Sequence, residues 1–207
     1  MESPAKSDQV STGRLESFSD GVIAVAATLL VLNIVVPAPE KTPDLAHTLG
    51  HMWPVYAAYA TSFITIGIIW INHHAMISRL RLADHAILIL NLLLLMSIAV
   101  LPFATSLIAT YLREGHGQKL AAAVYAGSLL VMSLLFVTLN WHILFRKMNL
   151  MREKLTLEER RRIISRGAAG ILPYTLAAAL APVSPYITLA ICGAVAAFYA
   201  LPIAAGV

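Results

Sequence analysis

The chain has 207 residues, 58% of them apolar and only 13% charged, with a net charge of +4. At about 20 apolar residues per membrane crossing, the roughly 120 apolar residues correspond to about six spans. Charge this sparse excludes a soluble globular domain, a disordered chain and a single anchor carrying a large water-soluble domain.

The polar, Ser-rich stretch 1–17 reads as a cytoplasmic N-terminal segment, with no cleavable signal pattern before the first apolar run. Six apolar runs follow, at about 18–36, 52–71, 86–111, 120–145, 163–181 and 183–203, forming one membrane domain over 18–207. Their length and unbroken apolarity predict helices rather than barrel strands. The chain is therefore expected to be an all-α membrane protein with six transmembrane helices. Pro102 and Pro173 fall inside the third and fifth runs and mark possible bends.

Orientation follows from Lys and Arg. The N-terminus, the 2–3 connection and the 4–5 connection hold twelve of the fifteen, including Lys6, Arg14, Arg79, Arg81 and the series from Arg146 to Arg166. The opposite side holds Lys41, Arg113 and Lys119. Both termini are expected on the cytoplasmic side, and positive-inside distribution accounts for the basic charge without nucleic acid. Thr156 and Glu159 have the spacing of a capping box opening a helix that runs into span five.

The informative stretch is Arg14-Leu15-Glu16-Ser17-Phe18-Ser19-Asp20, a charged cytoplasmic start to an apolar helix. An ionisable Asp20 at membrane depth needs a partner. Span two runs the opposite way and ends in Trp70-Ile71-Asn72-His73-His74, at similar depth. A network of Ser19 and Asp20 with Trp70, Asn72 or His73 is expected. At about 100° per residue, Gly21, Val25, Thr28, Leu29, Leu32 and Val36 share one stripe, and Asp20 lies about 140° from Val25. The stripe is free to face an axis or lipid while Asp20 faces other helices.

The run from Arg14 through Phe18-Ser19-Asp20 into Gly-Val-Ile-Ala-Val-Ala-Ala-Thr-Leu-Leu-Val-Leu, with Trp70-Ile71-Asn72-His73-His74, resembles prokaryotic members of the transmembrane protein 175 (TMEM175) potassium channel family. The resemblance implies a homotetramer in a bacterial plasma membrane, its pore lined by the first helix of each subunit. It implies a constriction of apolar side chains rather than a Thr-Val-Gly-Tyr-Gly filter, which is absent from this chain. Val25 falls at the main constriction position, Thr28 at a neighbouring hydroxyl layer, and Leu29 and Leu32 beside or beyond them. Arg14, Phe18, Ser19, Asp20, Trp70, Asn72 and His73 form the structural motif. The implied partners are the bilayer, monovalent cations and three further copies, with permeant K⁺, no cofactor and no catalytic residue. With few dipoles at the constriction, K⁺ over Na⁺ selectivity is expected to be modest, and the apolar rings are expected to gate by dewetting. Two positions depart from the family: Val25 stands where isoleucine or leucine is common, and Asn33 where an acidic residue is frequent. Glu40 and Asp44 are candidates to supply the missing negative charge at the outer mouth.

Two other classes fit the sequence less well. A secondary transporter needs an ionisable midplane site, and the middles of spans one, two, four and six carry no charge. An intramembrane enzyme using Asp20 with His73 or His74 lacks a convergent nucleophile or metal set. His47 and His51 stand at i, i+4, a possible metal pair on a helix; with no third ligand in view they are read as outer-loop residues, and no metal site is expected. The lone Cys192 excludes an intrachain disulfide.

Overall fold

The computed structural model of the chain describes residues 10–39 and 44–201. Lys6, Glu40, Lys41 and the end of the expected sixth span at 202–203 lie outside the described residues. The structure is almost wholly helical: α1 (Thr12–Leu29), α2 (Leu45–His51), α3 (Trp53–Ile77), α4 (His85–Glu114), α5 (Gln118–Trp141), α6 (Leu157–Ala168), α7 (Ile171–Leu180) and α8 (Pro185–Ala200). A 3₁₀ turn at Leu30–Asn33 extends α1, and a π turn at His142–Arg146 extends α5.

Among the described residues, five stretches are long and apolar enough to cross a membrane: Thr12–Asn33, Trp53–Ile77, His85–Glu114, Gln118–Arg146 and Leu157–Leu180. The last apolar helix, Pro185–Ala200, has 16 residues, which at 1.5 Å per residue is about 24 Å, short of the roughly 30 Å hydrocarbon core. By the same arithmetic α4, at 30 residues, exceeds the core. Its Pro102 sits inside a continuous helix. Span five is interrupted instead at Ala169–Gly170, and Pro173 lies in the first turn of α7, where its missing N–H costs nothing.

Helix α1 starts at Thr12, six residues before its apolar run. The reason is periodic burial: Thr12, Leu15, Ser19, Ile23, Ala26 and Leu30 form one buried stripe across the polar and apolar parts alike. That stripe packs mainly against α3 and α4. Helix α4 also runs along α5, which packs against α7. In a bilayer this association draws little from the hydrophobic effect, because lipid tails are as apolar as leucine; packing and interhelical hydrogen bonds carry it.

The core accordingly holds polar pairs. Thr105 gives its hydroxyl proton to the Leu101 carbonyl at 2.7 Å, so it must accept from Ser62 at 2.8 Å. Ser62 then accepts from the Tyr125 hydroxyl at 2.9 Å. This directed chain ties α5, α3 and α4 together, with Tyr125 fully buried. Between α7 and α8, the Thr188 hydroxyl reaches the Ala177 carbonyl at 3.0 Å.

The N-terminal segment and the 2–3 and 4–5 connections meet at one end. Strand β1 (Val10–Ser11) pairs antiparallel with β2 (Leu82–Ala83). The Arg81 amide donates to the Leu150 carbonyl at 2.8 Å, and the Arg152 amide to the Arg79 carbonyl at 2.9 Å. Lys147 Nζ lies 2.6 Å from Asp84 Oδ2, while Asp84 Oδ1 caps α4 by accepting from the Ile87 amide. Burial by itself raises the Asp84 carboxyl, but the bonds from Lys147 and Ile87 and the Lys147 charge outweigh it and hold the group below the ordinary carboxylate value. Helix α6 opens with the Thr156–Glu159 capping box. At the opposite end α4 and α5 are joined through Gly115 and Gly117, both at positive φ; a Cβ on Gly117 would lie 2.7 Å from the Tyr111 ring.

Candidate functional site

The N-terminal half of α1 is anchored through its buried side. The Ser19 hydroxyl donates to the Leu15 carbonyl at 2.8 Å, so its oxygen can only accept from Asn91 Nδ2, 3.0 Å away on α4. This turns Asn91 Oδ1 toward His73 Nε2 on α3, at 2.7 Å. Because Oδ1 accepts, His73 Nε2 carries the proton and Nδ1 is bare; Nδ1 is buried without a partner among the described residues. Three fully or nearly fully buried residues thus fix the relative rotation of three helices.

Two further pairs tie α1 to α3 nearer the surface. The Trp70 indole N–H donates to Asp20 Oδ1 at 2.9 Å. His74 Nδ1 lies 2.7 Å from Glu16 Oε1. Asp20 therefore meets Trp70, and His73 meets Asn91, in separate pairs. They do not converge on one point where a reacting atom would sit.

Not all expected members of the cluster join it. Asn72 turns back on its own helix, donating to the Ile68 carbonyl at 2.8 Å. Phe18 is exposed on the far side of α1, and Arg14 is exposed with no hydrogen bond or ion pair among the described residues. Asn91, which completes the cluster, signals in sequence only that it should face protein. It is one polar residue in a long apolar run, and its role depends on the axial register of α4 against α1.

The opposite face of α1 carries the expected stripe. Gly21, Val25, Thr28, Leu29 and Leu32 are all exposed, Val25 by 57%, Leu29 by 43% and Leu32 by 70%. An apolar groove runs along this face between Phe18, Gly21, Val25 and Leu29, closed on one side by Ala99 of α4. Val36 does not belong to the helical stripe, because helical structure ends at Asn33. The Thr28 hydroxyl donates to the Val25 carbonyl at 2.9 Å. Its proton is thus spent within the helix, and its oxygen presents lone pairs outward. Asn33, which stands where an acidic residue is frequent in the family, donates through Nδ2 to the Pro102 carbonyl at 3.2 Å, pinning the 3₁₀ turn to α4. Among the described residues no set of three or more His, Cys, Asp or Glu side chains is placed to hold a metal ion.

The comparisons with known proteins bear on the same helices. The model of the endosomal/lysosomal potassium channel TMEM175 family matches residues 14–102, which run from the first turn of α1 to Pro102 within α4. A protein of Streptomyces collinus named as a potassium channel is 45% identical over 188 residues, covering 91% of each chain. Another of that name, from Chamaesiphon minutus, is 38% identical over 196 residues, covering 94% of this chain and 96% of the relative. The crystal structure of a Chamaesiphon minutus homologue, described as a lysosomal potassium-selective channel TMEM175 homolog, superposes with a TM-score of 0.81 at 38% identity, over 92% of this chain and 97% of that one.

Proposed function

The chain belongs to the TMEM175 potassium channel family, and from that premise we propose that it forms a potassium-permeable channel whose pore is lined by α1. The family is one of ion channels, not enzymes. The observation that carries the pore assignment is the division of α1 into two faces. One is fixed to α3 and α4 by buried residues and the Ser19–Asn91–His73 chain; the other leaves Val25, Thr28, Leu29 and Leu32 uncovered.

In this reading four copies set the open face of α1 around a common axis. Rings of Val25, Leu29 and Leu32 form the hydrophobic constriction, and each narrow apolar ring opposes hydrated ions by disfavouring water. The Thr28 ring supplies four outward oxygens to a cation that sheds water. So few dipoles give modest K⁺ over Na⁺ selectivity. The six helical segments cross the membrane six times, with both termini cytoplasmic. The meeting of the N-terminal segment with the 2–3 and 4–5 connections at one end supports this arrangement, as does their shared excess of Lys and Arg. The bacterial relatives favour a plasma-membrane location.

The test is reconstitution of the purified chain into liposomes and planar bilayers. K⁺-driven flux with channel-scale single-molecule currents is expected, from a particle four times the 22.4 kDa chain mass. Val25→Ala and Leu32→Ala should raise conductance or open probability. Slow, saturable, gradient-coupled flux, or unchanged currents in every stripe variant, would overturn the assignment.

A further inference from the structure

The structure makes α2, in the connection between α1 and α3, a helix, and so decides what the spacing of two histidines means. His47 and His51 lie on one face of it, both exposed, with their Nε2 atoms 3.1 Å apart. The ring centroids are 4.4 Å apart. That is too close for the rings to meet head-on, so their lone pairs are inclined to the line joining the two nitrogens. Two ligands of one ion need that inclination. Zinc–imidazole bonds of about 2.0–2.1 Å at a tetrahedral angle put the two nitrogens about 3.3 Å apart, and a right-angled pair about 2.9 Å. The observed separation falls between these values.

We propose that His47 and His51 form a two-point binding site for a first-row transition-metal dication of the Zn²⁺ class on the outer connection after α1. This inference stands independently of the pore assignment. Without metal, one Nε2–H donates to the other nitrogen. With metal, both rings carry their proton on Nδ1 and both Nε2 lone pairs bind the ion, water completing its shell. Among the described residues two ligands are supplied, and both are exposed, so the site is an open one that is accessible from solution. Neither side chain needs to rotate far, so little conformational entropy opposes binding.

The ion also has structural work to do. At seven residues, α2 is well below the length at which an isolated helix holds in water. Its first turn is tied by Asp44, whose carboxylate accepts from the His47 amide at 3.1 Å and whose carbonyl accepts from the Thr48 hydroxyl at 2.9 Å. The metal would bridge from that turn to the last residue, His51. Met52 then ends α2 and begins α3, so the clip would brace the outer start of α3.

The experiment is calorimetric titration of the tag-free, full-length chain in detergent with ZnCl₂, with circular dichroism and thermal unfolding recorded alongside. Saturable binding of one Zn²⁺ per chain is expected, with a raised thermal midpoint. His47→Ala and His51→Ala should each weaken binding about tenfold or more. His116→Ala, in the exposed α4–α5 turn, should leave it unchanged. Size-exclusion profiles verify that the variants are folded, and both positions are exposed. No saturable Zn²⁺ binding by the wild-type chain, or wild-type affinity in either His47→Ala or His51→Ala, would overturn the proposal.

Discussion

Replacing Asn91 by leucine tests whether the three-helix anchor holds α1 in place. Asn91 is 1% exposed and makes two side-chain bonds, to Ser19 and to His73. Leucine is close in size, so cavity formation is a minor part of the effect. The consequences for the two partners differ. Ser19 keeps its bond to the Leu15 carbonyl and loses only a donor, about 1 kcal/mol. His73 loses the sole partner of its buried Nε2–H while Nδ1 already lacks one, and an unsatisfied buried donor costs about 1–3 kcal/mol. Interhelical hydrogen bonds measured in bilayers average about 0.6 kcal/mol, because the separated helices find other partners. The working expectation is therefore the lower part of the sum, about 2 kcal/mol. Unfolding in graded SDS from mixed micelles, followed by tryptophan fluorescence, reads this directly. The decisive comparison is Asn91→Leu with His73→Leu. Removing the stranded imidazole should restore about 1 kcal/mol, since deleting both partners is cheaper than orphaning one. An Asn91→Leu chain as stable as wild type, or a double variant no better than the single, would refute the argument that the His73–Asn91–Ser19 chain is a directed set of bonds.

Two further outcomes are expected besides the conductance and metal-binding tests described above. Tyr125→Phe removes the donor at the head of the Tyr125–Ser62–Thr105 chain but leaves Ser62 its bond to Thr105, so a loss of about 0.5–1.5 kcal/mol is expected in the same SDS titration. The Asp84 carboxyl lies below its ordinary value in the folded chain, so its contribution is present above the unfolded-state value near 3.9 and is lost as pH falls through the lower, folded one. The thermal midpoint should drop as pH falls below about 4, at about 2–4 °C per kcal/mol for a chain of this size. Asp84→Asn should flatten that part of the profile; an unchanged profile would remove Asp84 from the account.

Much of the molecule was legible in the amino-acid sequence because it depends on residues close together in the chain. Apolar runs located all the long helices. The capping box announced α6. A 3.6-residue period placed Val25, Thr28, Leu29 and Leu32 on one face of α1, and the structure leaves that face uncovered. Antiparallel spans bring the start of one beside the end of the other, so depth alone put Trp70, Asn72 and His73 near Asp20; which of the three bonds to it, Trp70, was left open.

What the sequence could not decide was how one helix is rotated and shifted against another. Asn72 and His73 are neighbours in the same polar run, yet one turns to its own backbone and the other crosses to α4, because about 100° of helix rotation separates adjacent side chains. Asn91, a polar residue in an apolar run, is expected to face protein, but the run does not show that Ser19 and His73 are its partners, nor that Asn33 binds the Pro102 carbonyl. Apolar periodicity reports which face of a helix avoids water, and in a bilayer that demand is the same toward lipid as toward protein. The partner of each buried polar group was therefore set only when the helices packed, since a hydrogen bond needs its donor and acceptor within about 3 Å.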